Sequence, residues 1–274
     1  MSPLERLARL DRRWIFLMMG ILVLIPLLWP LRMEIRPTAS SKTFHRAIAA
    51  IPDGSTVLMS CDYDPGSIPE MVPMTRTAMR QLWEKNCKVV VTVLWPGGPG
   101  LVDKVIEDVA LADFPGKRYG VDWVNLGYKP GNEAVMVLMG QGILTAFPND
   151  YRGHATRSLP IMQRARTYAD FPILISISAG YPGTKEWVQQ VQARFHLPMV
   201  AGVTAVSAPE FFPYVQSGQL VGLLGGMAGA AEYEKLRNES GDASRGMDAQ
   251  SLAHVFVALC IVLGNLVPRR RAGS

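Results

Sequence analysis

Two carboxylates stand one residue apart at Asp62-Tyr63-Asp64, directly after the apolar run 55–61. Carboxylates gathered at a strand end can bind Mg²⁺ or Ca²⁺ through hard oxygen ligands, or divide acid and base work between them. Asp62 and Asp64 are therefore the catalytic candidates. The same stretch also reads as a turn, since Asp64-Pro65-Gly66 carries the residue types that turns favour. A phosphotransfer site would need further matched residues, and none can be identified.

Three similar clusters follow other short runs. Trp95, Gly97 and Gly98 follow 88–95, Gly127, Tyr128 and Lys129 follow 122–126, and Ser178, Gly180 and Tyr181 follow 172–178. In an open parallel sheet ligands bind outside the carboxyl ends of the strands, which is where all these residues would gather. Tyr63, Trp95, Tyr128, Lys129, Ser178 and Tyr181 are the ligand-binding candidates. Ordinary turn chemistry accounts for much of the same glycine and proline pattern without any ligand.

Standard signatures do not name a cofactor. Trp95-Pro96-Gly97-Gly98-Pro99-Gly100 is not a G-x-G-x-x-G turn, and its two prolines would remove donors from a phosphate cradle. There is no GxxxxGK[ST], HExxH or G-x-S-x-G, and four histidines and three cysteines show no zinc spacing. No metal is assigned. Ser178 and Ser207 lie near strand ends, but neither has a histidine whose placement can be argued.

Strands at 55–61, 88–95, 122–126, 172–178, 199–204 and 220–224 must position these residues. Helices at 71–86, 101–112, from 133 and at 184–195 alternate with them. The continuous apolar strands imply an α/β fold with an open, mostly parallel sheet and helices on both faces, a Rossmann-like or flavodoxin-like three-layer sandwich. Residues 36–42 read as a polar linker, 127–157 as a helix start followed by an irregular excursion, and 225–245 as a small-residue helix running into a solvated linker.

The chain has 274 residues, 49% hydrophobic and only 19% charged. Soluble domains carry about a quarter charged residues, so part of this chain is expected to meet lipid. The excess lies at 14–31, with Trp14 and Trp29 near its ends, and at 249–267, which stops at Pro268. Both read as transmembrane helices. The expected organisation is a basic leader 1–13, a span 14–31, an α/β domain with its linkers at 32–245, a span 249–267 and a basic tail 268–274. On a helix, Ser251, His254, Ala258 and Asn265 fall on or near one face, a pattern that favours helix packing within a bilayer.

Arg6, Arg9, Arg12 and Arg13 precede the first span, and Arg269, Arg270 and Arg271 follow the second. They indicate cytoplasmic termini and an extracytoplasmic domain. Arg32, Arg36, Lys42 and Arg46 weigh the other way, and unpaired Cys61 and Cys87 fit a cytoplasmic domain as the alternative. The formal charge of +5 comes partly from the chain ends, so lipid head groups are favoured over nucleic acid. The functional expectation is a membrane-anchored, non-catalytic subunit of a larger assembly whose α/β domain binds protein partners or copies of itself. The alternatives are a hydrolase or transferase at the membrane surface and a small-ligand sensor.

Overall fold

The computed structural model describes residues 11–31 and 33–266. The basic residues Arg6, Arg9, Arg32, Arg269, Arg270 and Arg271 lie outside them. Two compact units result: Ile35–Ala243, and the two terminal stretches through Glu34 and from Ser244.

The larger unit is built on six parallel strands: β1 (Thr56–Asp62), β2 (Lys88–Val93), β3 (Trp123–Tyr128), β4 (Leu174–Ser178), β5 (Met199–Val203) and β6 (Gly222–Gly225). Their order in the sheet is β3-β2-β1-β4-β5-β6, the doubly wound order in which the chain reverses direction between β1 and β4. Strand β2 is mostly valine and β4 alternates isoleucine with serine, and both are buried along nearly their whole length because both faces of the sheet are covered.

Helices α2 (Ala39–Ala49), α3 (Ile68–Glu84), α4 (Pro99–Asp113) and α8 (Gly226–Leu236) pack against one another on one face. The other face carries α5 (Glu133–Gln141), α6 (Thr184–Trp187) and α7 (Ala208–Gln216); α6 runs on through a π turn at Val188–Gln192 and a last turn at Ala193–Phe195.

Helix α2 begins inside the stretch expected to be a linker. Thr38 caps it by accepting a hydrogen bond from Ser41 N at 3.3 Å, and Phe44 and Ile48 are fully buried. It approaches β6 so closely that a side chain at Gly222 would run into the backbone of Phe44. Ser40 Oγ accepts from Leu223 N at 2.9 Å along the outer side of β6.

The excursion after β3 is compact rather than loose. Val135, Met136, Met139, Ile143, Phe147, Ile161, Met162 and Tyr168 are all buried and join one apolar cluster with β4 and α6. Tyr151 N reaches Asn125 O at 2.9 Å, so the excursion also closes over the outer strand β3.

The smaller unit holds α1 (Arg12–Leu28) and all of α9 (Asp242–Leu266) but its first two residues, Asp242 and Ala243, which belong to the larger unit. Among the described residues α9 alone is long and apolar enough to cross a membrane, with a mean hydropathy of 1.8 in its most apolar window and 6% of that window buried. It starts seven residues before the expected span, with Asp242 in the first turn where the helix dipole favours an anion. Helix α1 has 17 residues and stops at Leu28. Trp29 is extended because the residue before Pro30 is driven out of helical geometry. Asp248, 2% exposed, ties this unit together by accepting from Leu31 N at 2.9 Å and Met33 N at 3.1 Å.

Candidate functional site

Asp62 ends β1 opposite Ser178 at the end of β4, where the sheet order reverses. Its Oδ1 accepts from Leu94 N at 2.7 Å, and its Oδ2 accepts from Ser60 Oγ at 2.6 Å and Trp187 Nε1 at 2.9 Å. The side chain is wholly enclosed. Burial pushes its carboxyl up to about 7; the three hydrogen bonds oppose that rise, while the Glu186 charge adds to it. Asp62 thus joins β1, the end of β2 and α6, and offers no face to a substrate.

Asp64 has a different task. Its Oδ1 accepts from Gly66 N at 3.0 Å and caps the 3-10 turn Pro65–Ser67. The two carboxylates of the pair therefore serve separate partners. Among the described residues no group of three or more His, Cys, Asp or Glu is placed to hold a metal ion.

The aromatic candidates divide in the same way. Tyr63 is a core residue, fully buried with its hydroxyl 3.0 Å from Thr75 Oγ1, and burial pushes its phenol up. Trp95 Nε1 donates to Pro182 O at 2.8 Å, which fastens the end of β2 to the turn after β4. Tyr181 is 62% exposed; its hydroxyl donates to the Glu133 carboxylate at 3.2 Å and accepts from Asn132 Nδ2 at 3.2 Å. Tyr128 and Lys129 stand at the end of β3, three strands from Ser178.

Ser178 and Tyr181 line a cleft of about 220 Å³ between the ends of β4 and β5 and the helices α6 and α7. Val203 and Phe211 give it apolar surface, and Ser207 adds a second hydroxyl. Lys185 Nζ is held by Glu210 Oε1 at 2.8 Å. Glu186 is 7% exposed and faces the cleft, and its Oε2 accepts from Gly183 N at 2.8 Å. Glu186 was not singled out from the sequence. Its only signal was a glutamate in the first turn of a helix that follows a strand end, which also describes simple capping.

Two other polar clusters are committed to the fold. The buried Asp150 carboxylate collects Tyr119 Oη at 2.9 Å, His154 N at 2.7 Å and His154 Nδ1 at 3.1 Å. Arg152 lies 4.0 Å over the Tyr119 ring and 5.2 Å from the Trp123 ring while pairing with Asp103 at 2.9 Å. Together these bonds hold the excursion after β3. A cleft of about 280 Å³ between α3 and α4 contains Arg76 and Arg80, but Asp242 and Asp113 already hold them, each at 2.7 Å.

Neither family models, curated proteins nor solved structures match this chain.

Proposed function

We propose that the chain is a membrane-anchored, non-catalytic subunit of a larger membrane-associated assembly, with the α/β domain used for protein contacts. In this reading α1 and α9 both cross the bilayer, both termini are cytoplasmic and the α/β domain is extracytoplasmic. The arginines flanking the apolar helices support that orientation.

The observation that carries the proposal is the arrangement of side chains around α9. From Ala249 onward, Ala249, Leu252, Ala253, Phe256, Cys260 and Leu263 are shielded wholly or in part and form one stripe, with Ser251 the one further partly shielded residue. Ser251, His254, Ala258 and Asn265 fall within a sector of about 60° on the roughly opposite side of the helix, and all but Ser251 are exposed. A small and polar face left open on a membrane helix fits the helix of a partner protein, because small residues let backbones approach and polar groups bond across the seam. The enclosure of Asp62 and the turn role of Asp64 leave the alternative, an enzyme at this strand edge, with less support.

The test is mild detergent extraction of the native protein, size-exclusion chromatography and mass spectrometry of the co-eluting material. A membrane protein should travel with it in fixed ratio and be released by Ala258→Leu. Elution as a lone monomer would remove the assembly reading, and a homo-oligomer would replace the partner with a second copy.

A further inference from the structure

We infer that the cleft between β4, β5, α6 and α7 binds a compact organic ammonium ligand, with the Glu186 carboxylate as its counter-charge. The inference is independent of the assembly proposal.

Charge sets the class of ligand. Lys185 pairs with Glu210 at 2.8 Å, so one lysine and two glutamates leave the cleft wall with a single net negative charge, at Glu186. Glu186 is more than nine-tenths buried, and among the described residues only one of its oxygens accepts a hydrogen bond, from Gly183 N. The other oxygen is left for a donor entering the cleft. A buried carboxylate is costly without a partner, and a cation that brings N–H groups supplies both charge and donors. The net negative charge of the wall disfavours anions, phosphates included.

Size and lining narrow the choice further. At about 220 Å³ the cleft is below the roughly 300–1,000 Å³ of pockets that take drug-sized molecules, so a ligand of few heavy atoms is expected. Val203 and Phe211 suit a short carbon chain; Ser178, whose hydroxyl donates to Gly180 O at 3.0 Å, Ser207, whose hydroxyl accepts from Thr204 Oγ1 at 3.0 Å, and the exposed Tyr181 complete the lining. A bare metal ion is a poor fit: Ca²⁺ takes 6–8 oxygen ligands and Mg²⁺ a strict octahedron, whereas this wall offers the Glu186 carboxylate, a Glu210 carboxylate already paired with Lys185, and hydroxyls.

The experiment titrates the full chain in detergent with propylammonium, propionate and propanol, read by calorimetry and by the melting temperature. Propylammonium should bind and raise the melting temperature, and the other two probes should do neither. Glu186→Gln keeps the side-chain shape and the acceptor for Gly183 N, and should weaken propylammonium by about tenfold or more. Ser207→Leu leaves Glu186 in place while filling the cleft, and should weaken it comparably if Glu186→Gln disturbs folding. No propylammonium binding at tens of millimolar would overturn the assignment. So would equal binding of propanol, or unchanged affinity in both variants.

Discussion

The Trp187 indole nitrogen donates to Asp62 Oδ2 at 2.9 Å across 125 residues of chain, inside the region where β1, β2 and α6 meet. The same oxygen takes Ser60 Oγ, and Oδ1 takes Leu94 N, so one carboxylate fixes three elements at the point where the sheet order reverses.

The proton on Asp62 should make the fold sensitive to pH. Burial raises the folded-state value to about 7 from an ordinary 3.8, so the folded protein binds this proton more tightly than the unfolded chain does. The stabilisation is fully present below about pH 4 and is lost as pH rises through about 7. Urea or thermal midpoints taken from about pH 4 to pH 8 should fall by the equivalent of roughly 2–4 kcal/mol from this group. Asp62→Asn, which has no proton to lose, should flatten that part of the profile. An identical slope in the variant would place the linkage elsewhere.

Trp187→Phe should destabilise the protein at any pH. It removes a donor to a buried acceptor and leaves a gap beside the Tyr168 ring, whose centroid is 6.4 Å away. The expected loss is about 2–4 kcal/mol. Chemical denaturation followed by circular dichroism measures it, and a loss below about 1 kcal/mol would show that the bond is replaceable.

Gly222→Ala should be costly in a way that composition alone does not reveal. The added methyl group would meet the backbone of Phe44 and force α2 away from β6, at about 1–3 kcal/mol. Gly264→Ala, where nothing lies within 4 Å, is the matched control and should leave the melting temperature unchanged.

Asp248→Ala should loosen the stretch after α1, because two backbone N–H groups at Leu31 and Met33 lose their acceptor. Leu31 and Met33 are nearly half exposed, so each unpaired group costs less than the roughly 1–3 kcal/mol of a fully buried one. Limited proteolysis in detergent should cleave near residue 33 faster in the variant, and an unchanged digest would rule out the clamp.

Arg152→Ala should release the excursion from β3, since the guanidinium both stacks on Tyr119 and pairs with Asp103. Amide exchange at Tyr151, whose N–H bonds to Asn125 O, should accelerate by about tenfold. Arg152→Lys should recover only part of the protection, because an ammonium lacks the planar fork.

The strands were legible because runs such as Lys88-Val-Val-Val-Thr-Val93 have few other ways to fold. Helices α2 and α7 were not. The first opens on Ala39-Ser-Ser-Lys-Thr, whose polarity hides the two buried positions Phe44 and Ile48, and the second contains Pro209 and Pro213, which read as breakers. Within the site, the sequence pointed to Asp62 but not to its enclosure, which comes from Trp187 and Leu94, far away in the chain. Glu186 is not legible because nothing in Thr184-Lys-Glu-Trp187 distinguishes a capping glutamate from one with an oxygen to spare.

The outer strands of the sheet are both already spoken for. On β3 the Asn125 carbonyl is taken by Tyr151 N, beneath a loop carrying Arg152, and on β6 the Leu223 amide is taken by the Ser40 hydroxyl. Exposed strand edges are where neighbouring molecules add strands and grow into aggregates. On each outer strand, then, a strand arriving from another molecule would first have to displace a group of this chain, Tyr151 N on β3 or Ser40 Oγ on β6.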